Sequence, residues 1–315
     1  MVTSAILIGT LTNVVEIENM SKSAILKTSR RSFLGTLLTG TAAPTLFLLS
    51  GSKIFAQAAN AAISQAQELK AQRLSWAGVK LEIPSMTLFI DPLINPKVWD
   101  EGLKQPPVYL QSATPQRHVV VTHTHPDHFD PLAAKQILNE NSYVICHTDS
   151  AATIASQGFR VWGVKMYEPV IFGDFTLLPV PAVDGYNANQ VSWIVTGGGR
   201  RILHCGDTIW HGGWWQIGRQ YGPFDAAFLP INGAKFSWRQ PASNIPAVLT
   251  PEQAVAAGVV AGAKLVIPIH YGVSGSEGYE EYPNAEATFI EAAKKRKVPV
   301  EVLKPGDWSK WKANV

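Results

Sequence analysis

Charge is scarce in this 315-residue chain: charged side chains make up 16% of it, and the formal net charge of +3 comes entirely from the front. Residues 1–58 hold five basic side chains (Lys22, Lys27, Arg30, Arg31, Lys53) and two acidic ones (Glu16, Glu18), which leaves 22 of each sign beyond them. A body without surplus positive charge has no electrostatic footprint for a phosphate backbone, so no nucleic acid is expected as a partner. The one basic run, Lys294-Lys295-Arg296-Lys297, reads as the solvated last turn of a helix. Cysteine is nearly absent: Cys146 and Cys205 make neither a CxxC pair nor a disulfide framework. Cys205 sits in an apolar run and reads as a buried thiol, with a single bridge to Cys146 left open for an oxidising compartment. Internal repeats, low-complexity tracts and linkers are missing after residue 60, so residues 59–315 are expected to form one domain.

A long uninterrupted apolar run is also missing. The stretch Phe33 to Leu49 is broken by Gly35, Gly40, Pro44 and four threonines, whereas a spanning helix needs about 20 mostly apolar residues. Ser-Arg-Arg-Ser-Phe-Leu-Gly at 29–35 precedes it, and Ala56-Gln57-Ala58 follows. That order of charged, apolar and small-residue segments is the layout of a secretory signal peptide over residues 1–58, cleaved after Ala58. The paired Arg30-Arg31 resembles the twin-arginine type, which carries folded proteins across a membrane. The expected location is then periplasmic or otherwise extracytoplasmic, with the twin-arginine export machinery as a partner and membrane contact only if the signal is retained. Met20 opens a conventional basic start for such a signal, so residues 1–19 read as an upstream extension.

Glycine and proline are plentiful, at 25 and 21 residues, and punctuate the rest into short elements. Residues 60–72 look helical. A hairpin is expected from Arg73–Ile83 and Thr87–Asp91 around Pro84-Ser85, and a buried strand over Arg117–Thr122. Asp130-Pro131 opens a helix to Glu140 as N-cap and first residue. A strand over Ser142–His147 and a helix over Thr148–Gln157 follow. Strands at Val170–Ile171, Thr176–Pro181, Val191–Thr196 and Arg201–Cys205 come next, the last two joined by Gly197-Gly198-Gly199. A strand at Ala226–Pro230, a helix opened by the box Thr250-Pro251-Glu252-Gln253, a strand at Lys264–His270 and a helix at Asn284–Lys297 complete the chain. Strands in runs with helices set between them favour two sheets with helices outside, an α+β arrangement.

Three of the eight histidines and an aspartate fall within six residues: His123-Thr124-His125-Pro126-Asp127-His128, directly after the buried strand. Imidazole and carboxylate are the ligands that zinc and its neighbours take, and a tight loop at a strand end can aim alternate side chains at one metal and the next pair at a second.

His-x-His-x-Asp-His after a strand resembles the signature of the metallo-β-lactamase superfamily. The resemblance runs from Trp76 to about Gly272: Gly206-Asp207-Thr208 is similar to the family's bridging-aspartate motif, and Ile269-His270-Tyr271-Gly272 to its last histidine motif. Leu88-Phe89-Ile90-Asp91-Pro92, Leu229-Pro230-Ile231 and Thr250-Pro251-Glu252-Gln253-Ala254 resemble the branch of ascorbate-phosphate lactonase-like and N-acyl-phosphatidylethanolamine phospholipase D-like enzymes. What this implies is a four-layer αββα sandwich holding two divalent metal ions at one sheet edge. His123 and His125 would bind the first ion, Asp127, His128 and His270 the second, and Asp207 both. Zinc is the expected metal, with manganese or iron admitted. The implied chemistry is a metal-bound hydroxide attacking an ester, lactone or phosphodiester, with Asp127 as the catalytic residue that takes the water's proton.

Two positions depart from the branch. Pro181-Ala182-Val183-Asp184-Gly185 has Asp184 where a histidine is usual. Three readings follow: a substitute ligand through oxygen, an acid that orients water or substrate, or a plain turn residue that leaves a site for one metal. Trp76-Ala77-Gly78-Val79 has valine where the branch often carries Gly-His. His204, on an apolar strand, reads as a core or supporting imidazole. His211 and Tyr271, each beside a motif, are expected to touch substrate. The aromatics Trp210, Trp214, Trp215, Phe236 and Trp238 allow a lipid-like substrate as well as a small molecule, or are ordinary packing.

Two other functions stay open. One is a binding protein that has lost turnover, with one metal or none. The other is redox chemistry at iron, although the Glu and flavin domain usual in diiron reductases are absent. The 62 residues between Asp207 and His270 leave no room for an inserted nucleic-acid domain. The branch resemblance argues against β-lactam hydrolysis.

Overall fold

A computed structural model describes residues 68–185 and 189–311, all within one compact unit of the chain. The signal-peptide features, from Arg30-Arg31 to Ala58, and the Met20 start lie outside the described residues. None of the described helices is long and apolar enough to cross a membrane.

The first sheet has six strands in sequence order: β1 (Lys70–Arg73), β2 (Val79–Ile83), β3 (Met86–Ile90), β4 (Gln116–Val120), β5 (Val144–His147) and β6 (Val161–Val164). β2 and β3 form the expected hairpin across Pro84-Ser85, and β3 to β6 run parallel. Helices α1 (Pro131–Ile137) and α2 (Thr148–Ala155) pack on its outer face. Asp130 caps α1 as expected, its side chain accepting from the Leu132 amide with Pro131 in the first turn.

The second sheet is ordered β13-β11-β10-β9-β8-β7. Its strands are β7 (Val170–Phe172), β8 (Phe175–Pro181), β9 (Val191–Gly197), β10 (Arg200–His204), β11 (Ala226–Pro230) and β13 (Val266–Ile269). Gly198 and Gly199 both take positive φ in the β9–β10 turn, as a two-residue hairpin requires. Helices α3 (Trp214–Tyr221), α4 (Pro251–Ala261) and α5 (Ala285–Arg296) cover its outer face. The α4 start carries the full reciprocal capping box, Thr250 to the Gln253 amide and the Gln253 side chain to the Thr250 amide.

The largest apolar cluster takes side chains from both sheets, among them Leu81, Leu88, Val120, Trp193, Phe228 and Ile267. It is the layer between them, so the order is helix, sheet, sheet, helix, and the αββα expectation holds. Both cysteines are free and buried, Cys146 under the first sheet's helices and Cys205 under the second's.

Five elements differ from the sequence reading. Residues 70–73 are the edge strand β1 rather than the end of a helix, because they pair with β2. β6 escaped notice because it is a half-exposed edge strand with Gly163 inside it. α3 was hidden in a Gly-Trp-rich loop and starts at Gly213 without a side-chain cap. A two-residue ribbon, β12 (Lys235–Phe236) with β14 (Tyr279–Glu280), is too short to leave a periodic signal.

Candidate metal centre

Parallel strands deliver their C-terminal ends to one edge, and the chemistry-bearing residues follow those ends. Asp91 follows β3, His123 to His128 follow β4, Asp184 follows β8, Asp207 follows β10 and His270 follows β13. Gly206, at φ 57, lets the chain reach this edge: a side chain there would meet Thr122 at 2.8 Å.

Two groups of donor atoms result, each lying within 4.8 Å of one another: Asp127, His128, Asp207 and His270, and His123, His125 and Asp207. In the first group His128 Nε2 and His270 Nε2 stand 3.1 Å apart, and Asp207 Oδ1 lies 2.9 and 2.6 Å from them. In the second, His123 Nε2 and His125 Nδ1 are 2.9 Å apart, with Asp207 Oδ2 3.8 Å from the former and Asp184 Oδ2 3.7 Å from the latter. Asp207 therefore faces both groups, one oxygen to each. Asp184, with its carboxylate buried, stands 3.7 Å from His125 beside the second group, outside the 4.8 Å set of His123, His125 and Asp207.

Proton affinities express the same field. Burial disfavours a charged imidazole at His128, yet Asp207 and Asp127 hold its pKa well above the ordinary value. Burial works in the same sense at His270 and is outweighed by Asp207 and the carboxylate bonds, so its pKa is raised too. Burial raises and the imidazoles lower the carboxylic acids, leaving Asp127 at about 2 and Asp207 well below its usual range. His123 is pushed down to about 3 by burial and by His128. The pocket thus draws in positive charge. A single proton can satisfy only one pair of these converging lone pairs, whereas a divalent cation satisfies a whole group, so the donor set fits a metal.

The sequence reading gave no role to the residue that aims the imidazoles. Asp91 is fully buried and accepts the Thr122 amide (2.8 Å), the Thr122 hydroxyl (2.6 Å) and His128 Nδ1 (2.8 Å). Burial raises its pKa, but the His128 bond and charge prevail, and the carboxyl stays below its ordinary value. An ionised acceptor fixes the His128 proton on Nδ1 and leaves Nε2 for the cluster. The Thr122 hydroxyl, donating to Asp91, has its oxygen 3.0 Å from His123 Nδ1 and fixes that ring in the same tautomer. Trp76 was read only as a departure beside Val79. Its indole N–H donates to Asp127 Oδ2 at 3.1 Å, and its ring lies 4.0 Å from that of His270.

A profile described as the beta-lactamase superfamily domain matches residues 87–271, the span from β3 to the last histidine motif. The chain belongs to the beta-lactamase superfamily. An uncharacterised protein of Mycobacterium tuberculosis is 26% identical over 222 residues, 63% of this chain and 58% of the relative. The chain thus spans little more than half that relative's length. A protein named metal-dependent hydrolase from Rubrobacter xylanophilus is 26% identical over 230 residues, 68% of this chain and 86% of its own. Among solved structures, a metallo hydrolase of the archaeon Ignicoccus hospitalis aligns with a TM-score of 0.59 at 20% identity, covering 78% of this chain and 99% of that one. At that identity the likeness is one of fold.

In this superfamily member some expected contacts are displaced. Tyr271 is a correction: its hydroxyl accepts from Arg73 and donates to Glu286, both at 2.8 Å, and the ring is buried against the second sheet's helices. His270 itself takes a positive φ of 57°. His211 stacks on Trp214 at 5.0 Å and accepts the Gly213 amide. Neither residue lines the cavity of about 190 Å³ beside the cluster. That cavity is bounded by Trp99, Phe236, Trp238, Arg239 and Val248 above His125, Asp127, Asp207 and His270. His204 is a supporting residue, its Nε2 donating to the Ala77 carbonyl at 2.9 Å.

Proposed function

We propose that this protein is a metal-dependent hydrolase of small esters, lactones or phosphodiesters. His123, His125 and Asp184 would hold one divalent ion, Asp127, His128 and His270 the other, and Asp207 both. The observation that carries this reading is the convergence of the Asp127, His128 and His270 lone pairs, and of those of His123 and His125, on two centres that share Asp207, with Asp184 3.7 Å from His125. Two such ions, when bound, supply a water of lowered pKa and a polarised substrate oxygen. The chain does the rest. Asp127, ionised and steadied by Trp76, accepts the water's proton at the floor of the cleft. Trp99, Phe236 and Val248 close the cleft's apolar sides and keep bulk water from the reacting atoms.

Each half offers two imidazoles and two carboxylates, a set that suits zinc and admits manganese or iron. We assign zinc. The cleft is smaller than the roughly 300–1,000 Å³ of sites that engulf a whole drug-sized ligand, which supports a small substrate or one arm of a larger one. Of the aromatics that suggested a lipid, Phe236 and Trp238 face the cleft, while Trp214 is buried under the second sheet. The lactonase-like or phospholipase D-like branch and twin-arginine export are part of the same reading, resting on the motifs and on Arg30-Arg31.

The test is metal quantification on the purified protein, beside turnover of 4-nitrophenyl esters and bis(4-nitrophenyl) phosphate. Wild type should carry two equivalents, and Asp207→Ala should lose metal from both halves together with turnover. Wild-type metal content in a folded Asp207→Ala protein would overturn the assignment.

A further inference from the structure

The mouth of the cleft carries a pattern that metal-assisted hydrolysis alone does not require. Rings run in unbroken contact from the cluster to the surface: His270 to Trp76 (4.0 Å), Trp76 to Trp99 (5.1 Å), Trp99 to Tyr279 (4.8 Å), Tyr279 to Phe236 (5.3 Å) and Phe236 to Trp238 (4.6 Å). Trp238 ends the row half-exposed, seated over Gly278, where a side chain would come within 2.7 Å of its ring. The β12–β14 ribbon and the Ser237 amide bond to the Gly278 carbonyl (2.8 Å) anchor this wall next to Arg239. Among the described residues that line the cleft, Arg239 is the only Lys or Arg. Neither Glu280, on the facing strand, nor Glu281 after it lines the cleft, and Glu281 is held by the Gly272 and Val273 amides and the Tyr279 hydroxyl.

Two divalent ions would bring four positive charges, against which the floor sets Asp127, Asp184 and Asp207, with the ionised Asp91 behind His128. The floor then has little positive charge left over for an anionic substrate, and Arg239 at the mouth presents a planar fork suited to carboxylate or phosphate oxygens.

We propose that Arg239 and the Trp99–Phe236–Trp238 wall select substrates bearing a negative charge beside the scissile bond and a flat or apolar arm. This deepens the hydrolase reading and rests on it. The test compares wild type, Arg239→Leu and Arg239→Lys on bis(4-nitrophenyl) phosphate and on neutral 4-nitrophenyl acetate, which share a leaving group. Arg239→Leu should lower kcat/KM on the anion about ten-fold, Arg239→Lys less, and leave the neutral ester within about two-fold. Equal losses on both substrates, or none on either, would overturn the proposal.

Calorimetric titration of the zinc-loaded protein with phenylphosphonate, which is not hydrolysed, keeps this inference separate from the hydrolase reading. If wild type cleaves neither ester, hydrolysis of such esters fails, and binding still decides the role of Arg239. Arg239→Leu should raise the phenylphosphonate Kd about ten-fold. Trp238→Ala should raise it several-fold while changing the Kd of inorganic phosphate less than about two-fold. An unchanged Kd in Arg239→Leu, or no binding by wild type, counts against the arginine. Equal weakening of both ligands in Trp238→Ala counts against the aromatic arm.

Discussion

Asp91→Asn is a demanding test of how the centre is held, because the new side chain has the same shape and cannot serve all three donors. With its oxygen toward the Thr122 amide, the amide nitrogen faces His128 Nδ1 and must donate to it. The ring proton then moves to Nε2, the atom that faces Asp207 and His270. With the amide turned over, His128 keeps its tautomer and the Thr122 N–H meets an N–H. One charge-assisted bond is lost either way, and such bonds are worth about 1.5–3 kcal/mol. That corresponds to a metal affinity lower by about 10–100-fold, the range found for other residues that orient metal-binding histidines. Both halves should suffer, because the Thr122 hydroxyl links Asp91 to His123 as well. The assay is a competition titration of bound zinc against a chelating dye, with circular dichroism to establish that the variant is folded. A folded Asp91→Asn protein with wild-type zinc affinity would refute the argument that Asp91 sets the tautomers. Thr122→Val, which cuts the link to His123 and leaves the His128 bond, should weaken zinc less.

Three further outcomes follow from other contacts. His118 is buried against Phe172, accepts the Tyr143 amide, and has its pKa pushed down to about 4 by burial. It folds neutral, so its contribution is complete above the unfolded value near 6.5 and fades as pH falls from there toward 4. Between pH 7 and pH 5 the loss is about 2 kcal/mol, and urea unfolding should show it shrinking in His118→Asn, whose side-chain oxygen can still accept the amide. Tyr271→Phe removes the hydroxyl between Arg73 and Glu286 and should cost roughly 1–3 kcal/mol of stability by thermal unfolding with KM unchanged; a raised KM would restore Tyr271 to the substrate. Asp184→His should retain two zinc ions while reducing manganese uptake in equimolar competition, and Asp184→Ala should fall to one equivalent; two equivalents in Asp184→Ala would remove Asp184 from the ligand set.

The part of the site that sequence reveals is the part built from near neighbours. His123 to His128 lie in one loop, so their residue types alone declare a metal site. Asp207 and His270 were legible because each ends a strand within a short motif. Asp91 and Trp76 were not, since their partners lie 37 and 51 residues away and an aspartate before a proline or a tryptophan before a strand is commonplace. For Tyr271, adjacency to His270 in sequence did not reveal that distant Arg73 and nearby Glu286 engage its hydroxyl. The fold followed a similar division. Buried strands such as β11 announced themselves by apolar runs, while β1 and β6 are edge strands defined by pairing, which local composition does not encode.

The two halves of the centre are joined from both sides. On the inner side Asp207 presents one oxygen to each. On the outer side Asp91 meets His128 directly and His123 through Thr122, so one buried carboxylate orients an imidazole in each half. With Asp184 as the proposed further ligand, the donor chemistry of the two halves would be alike, two nitrogens and two oxygens apiece. Nothing in the ligand types then favours filling one half far ahead of the other. The physical expectation is that damage to Asp91 or Asp207, which serve both halves, weakens both, whereas damage to Asp184 or His270 falls mainly on its own half.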